Sequence, residues 1–327
     1  MKRSIKIATA FSIVGALALG ATGCAAQSDQ PIKIAFVMGA ESDPFFQAMK
    51  IGAEEEAAAQ GVELIWQGDP SNYDVATQLP IVENVIAQKP DGLVLIPTDP
   101  DGLQAANDKA IEAGIAVANV DTHVTDLSKV VTFITGDNGD GGAKAANAIA
   151  GAIGYTDGNT YDVVVGLTSA TATTNVARLE GFKAAVAAKY PGIVIQDVAY
   201  SESNPQTAAS NVENWLTKYP NLSGIFAIDG TNASGAAAAL QAKNLTGKVA
   251  LVGYDAYPAN VELIQSGVIT ALIAQDPAAE ARLAIQTLVD YIKNKKSPAA
   301  RDVVIPNVTL DAKTSAADLK KYTYVAN

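Results

Sequence analysis

Short apolar runs that end abruptly in a carboxylate recur along this chain. Val249 to Gly253 is followed by Tyr254-Asp255, and the same design appears in Ile32 to Met38 before Ser42-Asp43 and Leu93 to Ile96 before Thr98-Asp99. Ala116 to Val120 before Asp121, Ile225 to Ile228 before Asp229, and Thr270 to Ala274 before Gln275-Asp276 repeat it. Runs of this length, rich in β-branched residues and closed by turn residues, predict buried strands. The polar chemistry therefore collects at one end of the strands.

Between these runs lie longer segments with helical spacing. Asp43 is a good N-cap ahead of Pro44, and Phe46, Met49, Ala53 and Ala57 recur on one face until Gly61. Val75, Leu79, Val82, Val85 and Ile86 trace a second helix, with Pro80 as a kink point. Helices are further predicted over 101–114, 142–153, 175–190, 205–218, 234–243, 260–266 and 277–293, alternating with strands at 62–66, 130–135, 162–167 and 193–199. This rhythm predicts βαβ units around parallel sheets. It pauses once, at Gly136-Asp137-Asn138-Gly139, and restarts. That pause predicts a first crossing between two lobes, with the last long helix returning to the first lobe and the β-rich tail 303–310 finishing on the second or at the hinge.

The predicted organisation is a first lobe of 32–137 plus 276–302 and a second of 138–275 plus 303–327, with hinge points near 136–139, 274–277 and 302–306. A chain of 327 residues, 49% hydrophobic and 17% charged, has material for two such cores. Its formal charge of −11 leaves no basic surface to neutralise phosphates, which excludes a nucleic-acid partner.

The first residues read differently. Lys2, Arg3 and Lys6 precede an apolar stretch, Ile7 to Leu19, that is short for a membrane span and fits a secretory signal over 1–23. The end of the stretch, Leu19-Gly20-Ala21-Thr22-Gly23-Cys24, resembles a bacterial lipobox, although Ala21 departs from its usual leucine. Cys24 would then carry the lipid, with 24–31 as a tether and the protein held at the outer face of the cytoplasmic membrane. The alternative is an ordinary cleaved signal with an incidental cysteine. As the only cysteine it forms no internal disulfide.

In open parallel α/β sheets, ligands bind beyond the carboxyl ends of the strands, where loops and helix N-termini converge. Two lobes facing each other would bring Asp43, Asp121, Asp229 and Asp255 around a polar, multi-hydroxyl ligand, because carboxylates accept strongly from hydroxyls. Phe45, Phe46, Trp66 and Tyr254 lie near the same edge and suit the apolar faces of a sugar ring. Competing readings stand beside these: Asp43 caps its helix, and Phe46 fills the core at helical spacing. Asp121 has no helical pattern after it to cap. A single histidine, His123, supplies neither a metal cluster nor a catalytic pair, and GxSxG, HExxH, P-loop and GxGxxG patterns are absent from the sequence. Gly139-Asp140-Gly141-Gly142 reads as a hinge or helix entry. No cofactor or metal is expected.

An ordered set of short motifs carries a family resemblance over 32 to about 298. Asp43-Pro44-Phe45-Phe46, Asp91-Gly92-Leu93-Val94-Leu95-Ile96-Pro97, Val120-Asp121, Arg178-Leu179-Glu180-Gly181-Phe182, Ile225-Phe226-Ala227, Val252-Gly253-Tyr254-Asp255 and Ile273-Ala274-Gln275 resemble the ribose-type (type I) periplasmic sugar-binding proteins of bacterial ABC importers. The resemblance implies an α/β, two-lobed fold, each lobe a parallel-sheet βαβ domain flanked by helices. It also implies that Phe45 and Phe46 border the sugar and that Asp121, Asp229, Asp255 and Gln275 hydrogen-bond its hydroxyls. Thr122 and Val176 stand where ribose binders usually have arginines. The segments 68–79, 99–103 and 171–175 look more like the rhamnose and autoinducer-2 binding branch, in which the place of Thr174 and Asn175 supplies ligand contacts. Arg178 is assigned a structural role.

The function expected is that of a monomeric, extracytoplasmic receptor that closes over a monosaccharide or polyol and delivers it to an ABC permease. Three rivals share parts of this design. A sugar-responsive regulator would carry a helix-turn-helix where this chain has a signal-like segment. A carbohydrate enzyme would use paired carboxylates, and an autoinducer-2-like or chemoreceptor-coupled sensor would differ in partner only.

Overall fold

The computed structural model describes residues 30–324, so the signal-like segment and Cys24 lie outside the described residues. The elements in order are β1 (Lys33–Ala40), α1 (Pro44–Gln60), β2 (Glu63–Asp69), α2 (Val75–Ala87), β3 (Gly92–Leu95), α3 (Gln104–Glu112), β4 (Ala116–Val120) and β5 (Thr132–Gly136). There follow α4 (Asn138–Ala152), β6 (Tyr161–Leu167), α5 (Thr173–Lys189), β7 (Ile193–Tyr200), α6 (Pro205–Lys218), β8 (Leu222–Ala227), α7 (Gly230–Ala242), β9 (Ala250–Tyr254), α8 (Pro258–Gln265) and β10 (Ala271–Ala274). The chain closes with α9 (Pro277–Asn294), β11 (Asp302–Ile305), β12 (Val308–Asp311) and α10 (Ala316–Tyr322).

These strands form two six-stranded sheets of matching order, β2-β1-β3-β4-β5-β11 and β7-β6-β8-β9-β10-β12. All pairings are parallel except β10 with β12. This is the two-lobed α/β architecture expected from the alternation of apolar runs and helical segments. In each sheet the strand order reverses beside the first strand, the point at which doubly wound folds open a crevice for ligands.

The side-chain period of two explains the layering. In β1, Ile34, Phe36 and Met38 point to the layer that holds Met49, Ala53, Ala281, Ile285 and Leu288 of α1 and α9. Ala35 and Val37 point to the other face, with Val82 and Val85 of α2 and Ala106 and Ala110 of α3. In the second lobe Val163, Val165, Phe226 and Val252 face α4 and α5, and Val164, Ile225 and Leu251 face α6 and α7.

Several helices start earlier than their apolar pattern indicates. α7 begins at Gly230 because Asp229 caps it, accepting from Asn232 N at 2.8 Å. α4 begins at Asn138, capped by Asp137, so Gly139, Gly141 and Gly142 form its first turns, the helix entry of the two readings given for them. The glycines there answer a close approach: a Cβ on Gly142 would lie 2.0 Å from Arg178 O, and one on Gly181 would lie 2.0 Å from Gly139 O. Helices α4 and α5 thus touch backbone to backbone.

The tail differs from the expected assignment of 303–327 to the second lobe. β11 pairs with β5 in the first sheet, Val303 beside Ile134, and only β12 joins the second. Parallel pairing on β5 completes the ladder of an otherwise open edge, and the chain crosses at Pro306-Asn307. The other crossings run from β5 into α4 and from β10 into α9, which packs on α1, β3, β4 and β5.

Candidate functional site

The carboxyl ends of both sheets meet around one chamber of about 480 Å³, counted out to its mouth. From the first lobe it is lined by Asp43, Phe45, Phe46, Tyr73 and Asp121. From the second come Thr168, Thr174, Asn175, Arg178, Ser203, Asp229, Asp255 and Tyr257, with Gln275 at the crossing into α9.

Two aspartates occupy equivalent places in the two lobes. Asp121 follows β4 and Asp255 follows β9, and both have left-handed backbone, φ 59° and 64°. Asp121 N donates to Ile134 O at 2.8 Å and Asp255 N to Ile273 O at 2.9 Å, so each is pinned to the next strand as it leaves the sheet. Aspartate tolerates this region better than β-branched or bulky residues, and such outliers cluster at ligand sites.

Their oxygens are used differently. Asp255 Oδ1 accepts from Gln275 Nε2 at 2.8 Å and from Tyr324 OH at 3.0 Å, and Oδ2 accepts from Gly230 N at 3.2 Å. Asp229 likewise accepts from Thr168 Oγ1, Asn232 N and Asn232 Nδ2. Asp121 Oδ1 is buried with no partner among the described residues, and so is Gln275 Oε1. Buried acceptors without donors are rare, since each forfeits about 1–3 kcal/mol.

Asp43 caps α1 by accepting from Phe45 N at 2.8 Å, and the same oxygen accepts from Tyr257 OH of the opposite lobe. Its capping role and its place in the chamber therefore coexist. His123 N donates to Thr173 Oγ1 at 3.3 Å, a second bond between the lobes. The His123 ring packs edge-on against Phe133 and its Nδ1 meets Val124 O, outside the chamber.

Burial is the leading cause of the unusual acidities here. It pushes Asp43 up to about 7 against the bonds from Tyr257 and Phe45, with Asp255 and Asp229 adding to the rise. It pushes Asp121 to about 7 as well, opposed by Arg178 and reinforced by Asp255 and Asp43. Asp229 is also raised by burial, against its bonds from Asn232 and Thr168. Burial works against the charge of Arg178, but Tyr254, Asp255 and Asp121 more than offset it and hold the guanidinium above its ordinary value.

Among the described residues Arg178 is the one cationic side chain that lines the chamber. Its Nε donates to Asn138 Oδ1 at 2.7 Å, its Nη1 to Ile228 O at 3.0 Å, and the guanidinium lies 3.8 Å from the centroid of the Tyr254 ring. Asn138 Nδ2 donates to Thr135 Oγ1, which in turn donates to Asp121 O. A chain of hydrogen bonds thus ties Arg178 to Asp121 through the first crossing. The structural role read from the sequence is present, together with a place in the chamber wall.

Of the expected site residues, Asp43, Phe45, Phe46, Asp121, Thr174, Asn175, Asp229, Asp255 and Gln275 are brought together. Asn175 Oδ1 accepts from Thr168 N at 2.8 Å and Ser169 N at 3.3 Å, which leaves its amide NH2 to face the chamber as a donor. Trp66 and Thr122 are not walls of the chamber. Trp66 stacks on Phe36 at 4.8 Å, one strand away, and the Thr122 hydroxyl donates to Pro97 O at 2.7 Å. Tyr73, Thr168, Ser203 and Tyr257 join from loops whose sequence carried no periodic signal. Tyr257, three residues beyond β9 and just ahead of Pro258, sits where strand-end residues face a ligand and was open to that reading.

Two doubly wound lobes whose polar strand ends close on one chamber define a two-lobed solute-binding protein. The periplasmic binding protein domain model matches residues 34–296, and the chain belongs to that family. It is 31% identical over 270 residues to the D-allose-binding periplasmic protein of Escherichia coli, covering 80% of this chain and 85% of that protein. It is 30% identical over 295 residues to the ribose import binding protein of the same organism, covering 90% and 95%. Among solved structures it resembles an ABC transporter solute-binding protein from Agrobacterium vitis bound with α-D-tagatopyranose. There the TM-score is 0.84 at 29% identity, over 90% of this chain and 99% of that one. A carbohydrate transporter solute-binding protein from Agrobacterium radiobacter in complex with D-arabinose gives a TM-score of 0.85 at 26% identity, over 92% and 100%.

Proposed function

We propose that this protein is the extracytoplasmic receptor of an ABC importer, capturing a monosaccharide or polyol between its lobes and presenting it to the permease. The observation that carries this reading is the pair of buried, unpartnered acceptors, Asp121 Oδ1 and Gln275 Oε1, in a chamber walled by Phe45, Phe46, Tyr73 and Tyr257. A sugar meets both demands at once: its hydroxyls donate to the oxygens, and the apolar faces of its ring lie against the aromatic groups. Four carboxylates against one arginine disfavour sugar phosphates and sugar acids.

In this reading Asp121 and Gln275 are the principal acceptors, and Asn175 and Arg178 donate. Asp43, Asp229 and Asp255 contribute their remaining lone pairs, Thr174 its hydroxyl, and Phe45 and Phe46 border the ring. Thr122 and Trp66 support the wall from behind. The lobes are 32–137 with 276–302 and 138–275 with the tail, β11 returning to the first sheet. Closure is the working step, because contacts made by both lobes exist only in the closed form and ligand shifts the equilibrium by that difference. A lipid on Cys24, followed by the tether 24–31, would hold a monomer beside its permease.

A thermal-shift screen of pentoses, hexoses, ketoses, deoxy sugars and polyols tests the reading. A rise in melting temperature with one or a few of them supports it. A response confined to amino acids or nucleosides overturns it.

A further inference from the structure

The C-terminal tail enters the binding region at one residue. Helix α10 is capped by Ser315, which accepts from Asp318 N, and it packs on the core only through the partly buried Leu319 and Tyr322. The anchor is Tyr324, 3% exposed. Its N–H donates to Ala256 O at 2.9 Å and its OH donates to Asp255 Oδ1 at 3.0 Å. The same OH lies 3.3 Å from Gln275 N, which donates to it. Its ring meets Phe45 of the first lobe edge-on at 6.0 Å and lies 6.1 Å from that of Tyr257.

Tyr324 is not a wall of the chamber; it stands behind two residues that are. Asp255 has left-handed backbone; its Oδ2 accepts from Gly230 N, and its Oδ1 is held by Tyr324 and Gln275 alone among the described residues. Gln275 in turn has its backbone N–H fixed by the Tyr324 hydroxyl and its Oε1 unpartnered. One phenol therefore holds the Asp255 carboxylate and the backbone of Gln275, whose side-chain amide shares Asp255 Oδ1 with it, while its ring meets Phe45 of the opposite lobe. Tyr324 belongs to the core by its ring, and its hydroxyl adds bonds to two residues that line the chamber.

We propose that the tail is a strap whose Tyr324 is a positioning residue. It holds Asp255 and Gln275 in the geometry that receives the ligand, and packs on Phe45 as the lobes come together. The strap rests on the chamber's being the ligand site proposed above. It adds to that reading a segment outside the βαβ lobes and predicts that affinity depends on residues 315–324.

The test is a double-mutant cycle, which isolates the coupling between two positions. Calorimetric titrations with D-allose, D-ribose and xylitol are made on the wild type, Tyr324→Phe, Asp255→Ala and the double variant. Tyr324→Phe keeps the ring and removes only the hydroxyl. The strain of alanine at left-handed backbone is common to both arms and cancels. Tyr324→Phe is expected to weaken binding about 5- to 20-fold in the wild type and less than about twofold beside Asp255→Ala. An equal loss in both backgrounds, or no loss in the first, overturns the proposal.

A second readout needs no ligand. In the sugar-free protein, hydrogen exchange at the Gly230 amide, which donates to Asp255 Oδ2, is expected to quicken in Tyr324→Phe because Asp255 Oδ1 then keeps only its bond from Gln275 Nε2. Unchanged exchange there contradicts the positioning role. If the wild type binds none of the three probes, the sugar reading is the one that suffers, and the exchange measurement still decides the strap.

Discussion

Replacing Asp121 with asparagine should weaken ligand binding and stabilise the empty protein, two effects of opposite sign from one oxygen. Asp121 is 8% exposed, its Oδ1 has no partner, and burial lifts its pKa from 3.8 to about 7. Each pH unit of such a rise is worth about 1.4 kcal/mol, so above pH 7 the ionised side chain destabilises the empty fold by about 4 kcal/mol. Between the two pKa values the folded protein retains a proton that the unfolded chain has released. Stability therefore falls as pH rises through that window and loses nothing further above it. Asparagine keeps the shape, tolerates left-handed backbone and does not ionise.

The entropy of unfolding, about 2.1 cal/mol/K per residue, makes 4 kcal/mol worth roughly 6 °C in a chain of this size. Scanning fluorimetry of the empty protein should show Asp121→Asn melting several degrees above the wild type at pH 8, with less than half that advantage at pH 5. Titration with the best-stabilising sugar should show the reverse, a loss of about 10- to 100-fold, as expected for a charge-assisted bond of about 1.5–3 kcal/mol. An asparagine variant that is no more stable at pH 8, or that binds as tightly as the wild type, refutes this account of Asp121.

Tyr257→Phe removes the bond to Asp43 that joins the lobes, and should weaken binding about 3- to 10-fold by calorimetry with little change in the melting temperature of the empty protein. Trp66→Phe should leave affinity within about twofold of wild type, because its ring stacks on Phe36 away from the chamber; a tenfold loss by the same titration would return Trp66 to the site. Gly181→Ala forces a Cβ onto Gly139 O and should destabilise by more than about 2 kcal/mol in denaturant unfolding, whereas an unchanged midpoint would mean α4 and α5 can separate freely. Glu280, fully buried in α9 with both oxygens unpartnered, is pushed well above the ordinary carboxylate range by burial, with Asp121 adding to the rise. The rise favours the protonated carboxyl in the fold over that in the unfolded chain, so Glu280→Gln should flatten the decline of melting temperature as pH rises above 5, and an unaltered slope would contradict that.

The architecture was legible because each apolar run is a strand buried on both faces, and because Asp, Pro and Gly punctuate the helices between them. Asp121 could be singled out from sequence since no helix follows it to cap. What stayed hidden depends on contacts distant in sequence. The early start of α4 needs Asp137 as a cap and glycines against the α5 backbone, and the pairing of β11 with β5 joins residues more than 160 positions apart. Tyr324 carries no local pattern, since only the folded tail brings it to Asp255. Trp66 and Thr122 lie near strand ends, but the register of β2 on β1 stacks Trp66 on Phe36 and the bond to Pro97 O turns Thr122 away.

The claim that a sugar is held by both lobes is tested most directly by hydrogen exchange of the wild type with and without the sugar that stabilises it most. Protection is expected together at 43–46 and 121–123 of the first lobe and at 168–175, 229–232 and 254–257 of the second. Protection confined to one lobe, or found away from these strand ends, would contradict capture between them.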